Sequence, residues 1–252
     1  MTPSKFKDCK GILIDAKGLD FKTLNSIVRN AVKEGNRSIL ISNVLGQRFI
    51  GDGIDKDVEI SLTGVAGGDL GAFMDGPAIY LNGNAEHAAG NTMSGGKIVI
   101  YGDAGDCLGH SMRGGKIFIR GNVGYRVGIH MKQYEDKYPT IVIGGKAQSF
   151  LGEYMAGGVI LVLGIGQEKC VDSYVGTGIH GGVIYIAGDI EESELGVAAK
   201  KEEINEADSG LIKDLIDEYN HYFNMKFDFN STKFTKIMPI SSRPFSNLYT
   251  PE

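Results

Sequence analysis

Residues 102–121 read GDAGDCLGHSMRGGKIFIRG, with glycine at offsets 0, +3, +7 and +12, methionine at +10, and a glycine at +19 that opens the next unit. The preceding unit, GNAEHAAGNTMSGGKIVIYG from Gly83, repeats the frame at Gly90, Met93, Gly95 and Gly102. Upstream the frame runs from Gly64 through Gly67, Gly71, Met74 and Gly76; downstream it runs from Gly121 through Gly124, Gly128 and Met131. Five residues are then inserted around Gln133-Tyr134-Glu135-Asp136-Lys137, and the next unit begins at Gly145, with Gly152, Met155, Gly157 and Gly158. The last unit starts at Gly164, takes a second five-residue insertion, and continues through Gly176, Ile179, Gly181 and Gly182 to Gly188. The steps are 19, 19, 19, 24, 19 and 24 residues, six units in one frame. A fixed period of this length marks a stacked-repeat architecture.

Each unit carries a strand of the form I-x-I: Ile98/Ile100, Ile117/Ile119, Ile141/Ile143, Ile160/Val162 and Ile184/Ile186. β-Branched residues two apart face one side of a strand. Four glycines per unit are too many for a helix, where each costs about 1 kcal/mol relative to alanine. They suit corners that need φ > 0 or close approach of stacked backbones. The corner candidates are Gly83, Gly90, Gly95, Gly102, Gly105, Gly109, Gly114, Gly121, Gly124, Gly128, Gly152, Gly157, Gly164 and Gly181. No unit can bury its own isoleucines, but a stack buries them as a ladder. The pattern predicts a mainly-β, single-stranded β-helix of about six 19-residue coils, roughly 30 Å long at about 4.8 Å per coil. The methionines at +10 form a column of adaptable core filler.

The remaining composition narrows the class. The chain has 252 residues, 37 of them glycine, 42% hydrophobic and 23% charged, enough to bury a core. No apolar run reaches the ~18–20 residues of a membrane span. The N-terminus has no signal-like apolar stretch, so the expected location is cytoplasmic. Three separated cysteines, Cys9, Cys107 and Cys170, make neither a disulfide framework nor a zinc or iron–sulfur spacing; buried inert thiols are expected. Net charge is −5, of which residues 191–218 carry −7, so the remainder lacks the basic footprint of a nucleic-acid binder.

The flanks divide the chain into 1–58, a cap leading into the solenoid; 59–190, the β-helix; and 191–252, an acidic helix and extended tail. Residues 20–34 predict a helix capped by Asp20 and stopped by Gly35, followed by a strand at Ser38-Ile39-Leu40-Ile41. Leu211, Ile212, Leu215, Ile216 and Tyr219 predict a second helix begun by Asp208 or Ser209. Residues 226–252 have no helical period and read as a tail laid over a surface. The flanks are expected to cover the open ends of the stack.

No catalytic, cofactor-binding or metal-binding constellation emerges. Gly176-Thr177-Gly178-Ile179-His180-Gly181 matches GxGxxG, but the repeat already accounts for its glycines and a strand follows where a dinucleotide site needs a helix. The histidines fall at offsets +4 (His87), +8 (His110), +9 (His130) and +11 (His180), so no two share a column. Glu153, a carboxylate inside an apolar unit, reads as a structural hydrogen bond or a contact between subunits. Thr2 is no N-terminal nucleophile with Pro3 behind it and no amidohydrolase body.

The frame resembles the GXGXG domain family, whose right-handed β-helix forms the C-terminal domain of the glutamate synthase large subunit. The motifs that carry the resemblance are Gly46-Gln47-Arg48-Phe49-Ile50-Gly51, the unit at 83–96, Gly152-Glu153-Tyr154-Met155-Ala156-Gly157-Gly158-Val159 and Gly178-Ile179-His180-Gly181-Gly182. The resemblance implies a non-catalytic assembly subunit that holds separate glutaminase and FMN-dependent synthase chains in register. FMN and the iron–sulfur cluster then belong to those partners, and a homo-oligomer is left open. It also implies a second setting, as the β-helical subunit of formylmethanofuran dehydrogenase, a molybdenum or tungsten enzyme. A β-helix enzyme in its own right, a lyase or a hexapeptide-repeat acyltransferase, fits neither the missing export signal nor the period. The candidate partner contacts are Arg126, Lys132, Tyr134, Glu135 and Glu153, on or near the first insertion, and Arg243 and Phe245 in the tail.

Overall fold

The computed structural model describes residues 11–242. Among these, eleven strands form one sheet: β1 (Gly11–Asp15), β2 (Ser38–Leu45), β3 (Glu59–Val65), β4 (Ala78–Asn82), β5 (Lys97–Ile100), β6 (Lys116–Ile119), β7 (Thr140–Ile143), β8 (Ala156–Val162), β9 (Gly181–Ala187), β10 (Ala199–Glu202) and β11 (Phe234–Pro239). The helices are α1 (Phe21–Lys33) and α2 (Glu206–Phe223). From β1 to β9 the spatial order follows the chain order and every pairing is parallel. Ile60, Ile79, Ile98, Ile117, Ile141, Ile160 and Ile184 lie side by side, so each repeat unit is one turn of a β-solenoid. Ser38 faces Glu59 across β2 and β3, adding a turn ahead of the six counted units and giving about seven.

Inside the coil, Met74, Met93, Met112, Met131 and Met155 are fully buried beside the isoleucines, as are Leu108, Val127 and Leu151. A second ladder of parallel bridges joins Ala66, Ala85, Ala104, Val123, Ala147 and Val171. One corner is stitched by side chains: Asn84 Oδ1 accepts the Asp103 N–H at 2.9 Å, Asp103 Oδ1 that of Asn122 at 2.7 Å, and Asn122 Oδ1 that of Lys146 at 2.8 Å. The turn glycines separate into two kinds. Gly152 has φ +68°, and a Cβ there would lie 2.5 Å from Ile184 Cδ1 in the core. Gly114 and Gly157 have no positive φ; they are required by close approach, since a Cβ would meet Ser94 O at 2.4 Å and Gln133 N at 2.5 Å respectively.

The Asp20 side chain caps α1 by accepting from the N–H groups of Lys22 and Thr23. Leu24, Val28 and Ala31 join Ile14, Ile39 and Ile50 in the interior cluster, so α1 plugs the N-terminal end of the coil. The other flank differs from the sequence expectation in three ways. First, α2 begins at Glu206, capped by Asn205; Asp208 is the third helical residue of a reciprocal capping box. Second, α2 lies along the outside of the sheet instead of over an end. Strand residues Val99, Phe118, Val142, Leu161 and Tyr185 point outward and pack against Ile212, Leu215, Ile216, Tyr219 and Tyr222 in a second core. Third, the tail segment forms β11, which runs antiparallel between β9 and β10 and extends the sheet. The outermost strand there carries Lys200 and Lys201, charges that protect a sheet edge. No helix among the described residues is long and apolar enough to cross a membrane.

Candidate partner-docking face

Each turn of the solenoid passes one corner with positive φ at every second residue. In the turn from Gly145 these are Phe150 (66°), Gly152 (68°) and Tyr154 (51°); in the turn from Gly121 they are Arg126 (58°), Gly128 (71°) and His130 (54°). The middle position faces the core and must be glycine, while the outer two send side chains to the surface. Left-handed backbone costs an ordinary residue about 1–2 kcal/mol. It is held here by the neighbouring turn: the N–H groups of Arg126, His130, Phe150 and Tyr154 donate to the carbonyls of Ser149, Glu153, Ser173 and Thr177 at 2.8–3.1 Å. Two middle turns carry small residues at the outer positions, Ala88 and Thr92, then Cys107 and Ser111. The following turns carry Arg126 and His130, Phe150 and Tyr154, and then Tyr174. Bulky side chains are thus concentrated where the backbone least favours them, a pattern that points to function before packing.

These side chains form two rails. On one, the Arg126 guanidinium carbon lies 5.2 Å from the centre of the Phe150 ring, and Phe150 stacks on Tyr174 at 4.9 Å. On the other, His130 stacks on Tyr154 at 5.4 Å and meets His110 edge-on at 6.0 Å. Tyr154 and Tyr174 remain 40% and 53% exposed. Between the rails sits Glu153, only 8% exposed; its Oε2 lies 3.3 Å from Arg126 Nε and has no donor in hydrogen-bonding alignment among the described residues.

The histidine offsets alone separate His110 from His130, yet the coil makes their rings neighbours. Adjacent offsets on successive turns project from the same corner, which a column count does not register. Burial, then the nearby His130 and Arg113, hold the His110 pKa below the usual imidazole value, and its Nδ1 lies 3.2 Å from Asn91 Oδ1. Cys107 is half-buried instead of buried; burial and then the Asp106 charge push its thiol pKa up, disfavouring the thiolate. Cys170, also half-buried, donates its thiol to Ala187 O. No group of three or more metal-ligating side chains capable of holding an ion occurs among the described residues.

The structure joins Arg126 and Glu153 into an ion pair, and the first insertion packs against the preceding turns. Arg113 Nη1 donates to His130 O, and the N–H of Lys132 donates to Met112 O. Tyr134 and Lys137 exchange backbone hydrogen bonds to close a tight turn with Glu135 at φ 53°, leaving Tyr134 exposed at its tip. Lys137 reaches back to Asp75 at 3.1 Å, so the insertion lies along the corner instead of projecting from it. Arg243 and Phe245 lie outside the described residues. Phe150, Tyr154 and Tyr174 were missed as contact candidates in the sequence, and His130 was read only as a turn or surface residue; the available signal was a large residue at offsets where the units from Gly83 and Gly102 place alanine, cysteine, serine or threonine. In the last turn, Gly181 opens β9 and no helix follows the GxGxxG stretch.

The chain is 53% identical to the uncharacterized protein MJ1350 of Methanocaldococcus jannaschii, over 98% of its own length and 99% of that relative's. The GXGXG motif family model matches residues 19–240, from the end of the β1–α1 loop to the end of β11. The match covers β2 to β11 together with both helices, and the chain belongs to the GXGXG motif family.

Proposed function

We propose that this chain is the non-catalytic assembly subunit of a glutamate synthase-type complex, docking a glutaminase-type chain and an FMN-dependent synthase chain that carries the iron–sulfur cluster. Membership of the GXGXG family supports a glutamate synthase-like domain. The observation that carries the docking role is the double aromatic rail. Tyrosine, histidine and arginine side chains stand exposed on strained backbone, and aromatic and arginine residues dominate the energetics of protein interfaces. A rigid parallel ladder beneath them fixes their spacing, so the face presents a preorganised surface with little ordering cost on binding. The insertion at residues 132–139, which follows His130 closely in the chain, adds Lys132, Tyr134 and Glu135 as further candidate contacts.

Native co-purification of a tagged chain, with mass spectrometry and a flavin spectrum, tests the reading. A glutaminase-like chain and a yellow FMN-containing chain are the expected companions. Their loss from a Tyr154→Ser/Tyr174→Ser variant that melts normally assigns the contact to the rails. Recovery with a molybdopterin-containing chain would transfer the assembly role to a formylmethanofuran dehydrogenase-type complex. Isolation of the chain alone under mild conditions would overturn the proposal.

A further inference from the structure

Arg126 stands at the head of the first rail, and its guanidinium is held from two sides. It lies over the Phe150 ring, and its Nε faces the buried Glu153 Oε2 at 3.3 Å. A guanidinium has two hydrogen-bonding edges, one made by Nε with an Nη and the other by the two Nη groups. The Nε edge is the one beside Glu153. The outer edge donates to no described residue, and the Arg126 side chain is 48% exposed. The pair beneath is unfinished, because Glu153 Oε2 is buried without an aligned donor. Burying a carboxylate without a hydrogen bond is costly, and a purely structural ion pair gains nothing by leaving it so. The charges around Arg126 specify what completes the arrangement. Arg113 donates to His130 O at 3.1 Å, and the exposed His130 ring meets His110 edge-on, so a second guanidinium and two imidazoles share the corner. The acids whose charge is felt at Cys107 and His110 are Asp69, Asp106 and Glu153. Each is already engaged: Asp69 pairs with Arg48 at 3.3 Å, Asp106 takes the Tyr125 N–H at 2.9 Å, and Glu153 pairs with Arg126.

We propose that the outer edge of Arg126 takes an aspartate or glutamate side chain of the docking partner, bound bidentately between the rails, with Glu153 as the positioning residue beneath it. The inference deepens the docking reading above and rests on it. The incoming carboxylate occupies the two Nη groups and leaves the Nε–H for Glu153, so one guanidinium serves both anions. The Phe150 face restrains the guanidinium, and exclusion of water by the docked segment strengthens both pairs. Arginine is required at this position, because a lysine offers a point charge and no fork.

Binding of a short peptide to the isolated full chain, read by NMR on the Arg126 Nε–H resonance, tests this. The probe is acetyl-Gly-Glu-Gly-amide, and its control is the glutamine counterpart. The glutamate probe is expected to bind at least about tenfold more tightly than the control, and Arg126→Lys to abolish that difference. Glu153→Gln is expected to move the Arg126 Nε–H resonance toward that of free arginine, which a packing role for Glu153 would leave in place. Equal response to the two peptides would overturn the proposal, and that comparison in the native chain needs no variant to fold. Tighter binding of succinate than of the glutamate peptide would also overturn it, by making the corner a site for a free dicarboxylate. Because the probe is read on the isolated chain, its failure is distinguishable from a failure to co-purify companion chains. In a native extract, Arg126→Gln is expected to lower capture of the docked chain at least about tenfold, and undiminished capture would count against the proposal equally.

Discussion

Lys236 Nζ donates to Asp208 Oδ2 at 2.7 Å, and both side chains are only about 10% exposed. The same carboxylate takes the Tyr185 hydroxyl on Oδ1 at 2.5 Å and the Asn205 N–H on Oδ2 at 2.9 Å. Three elements distant in sequence, β9, α2 and β11, are therefore fastened at one acidic side chain. Asp208 is simultaneously a helix-capping residue and the anchor of the strand that extends the sheet.

Asp208→Ala is expected to destabilise the chain by about 3–5 kcal/mol, because it leaves Lys236 buried without its counter-charge. Burial alone would raise the Asp208 pKa, but the Asn205, Lys236 and Tyr185 contacts outweigh it and hold the carboxyl below its ordinary value. A depressed carboxylate contributes stability above its unfolded pKa, about 4, and loses it as pH falls through the folded value. Urea denaturation across pH 2–7 should show an acid-side loss in the native chain that is shallower in Asp208→Asn. Equal acid sensitivity would remove Asp208 from this role.

Tyr219 gives the opposite pH signature. It is fully buried on the sheet-facing side of α2, its hydroxyl donates to Arg120 O at 3.2 Å, and burial pushes its pKa up to about 12. A raised pKa means that its stability contribution is complete below the unfolded value, about 10, and is lost as pH rises through the folded one. Alkaline melting should steepen between about pH 10 and 12, and Tyr219→Phe should flatten that limb while costing about 1 kcal/mol at neutral pH for the lost hydrogen bond.

Gly152→Ala combines two penalties, left-handed backbone and a methyl group placed 2.5 Å from Ile184 Cδ1. About 2–4 kcal/mol of destabilisation is expected. Gly18→Ala isolates the first penalty, since Gly18 has φ +75° with nothing within 4 Å of the added Cβ, and about 1 kcal/mol is expected. Chemical denaturation of both variants separates core crowding from backbone strain; equal losses would contradict the inward orientation of Gly152.

Tyr154→Gly should separate stability from association. Relief of a left-handed tyrosine at φ 51° offsets the lost stack on His130, so thermal melting is expected to stay within about 1 kcal/mol of the native chain. Capture of partner chains should fall at least about tenfold if Tyr154 is an interface anchor. A large stability loss with unchanged capture would make the rail a structural feature only.

The 19-residue frame, the I-x-I strands and the glycine at +7 determined the solenoid without tertiary information, because each turn repeats one local solution and stacking is its direct consequence. The Asp20 cap and the Leu24–Val28–Ala31 stripe likewise made α1 legible, since both signals are local. Tertiary structure decided the remainder. In Lys97-Ile98-Val99-Ile100 the core-facing and outward residues are equally apolar, so the strand pattern conceals a second face that only α2 reveals. Asp208 is a good capping residue by type, but a lysine nearly thirty positions away helps hold it inside the first turn. The tail becomes β11 through an edge that exists only once β9 has been laid down. The aromatic rails required backbone geometry, because left-handed φ at a tyrosine or histidine leaves no trace in composition. His110 and His130 meet because consecutive turns stack at one strand spacing, a distance of about 4.8 Å that their separation of 20 positions in the chain does not disclose.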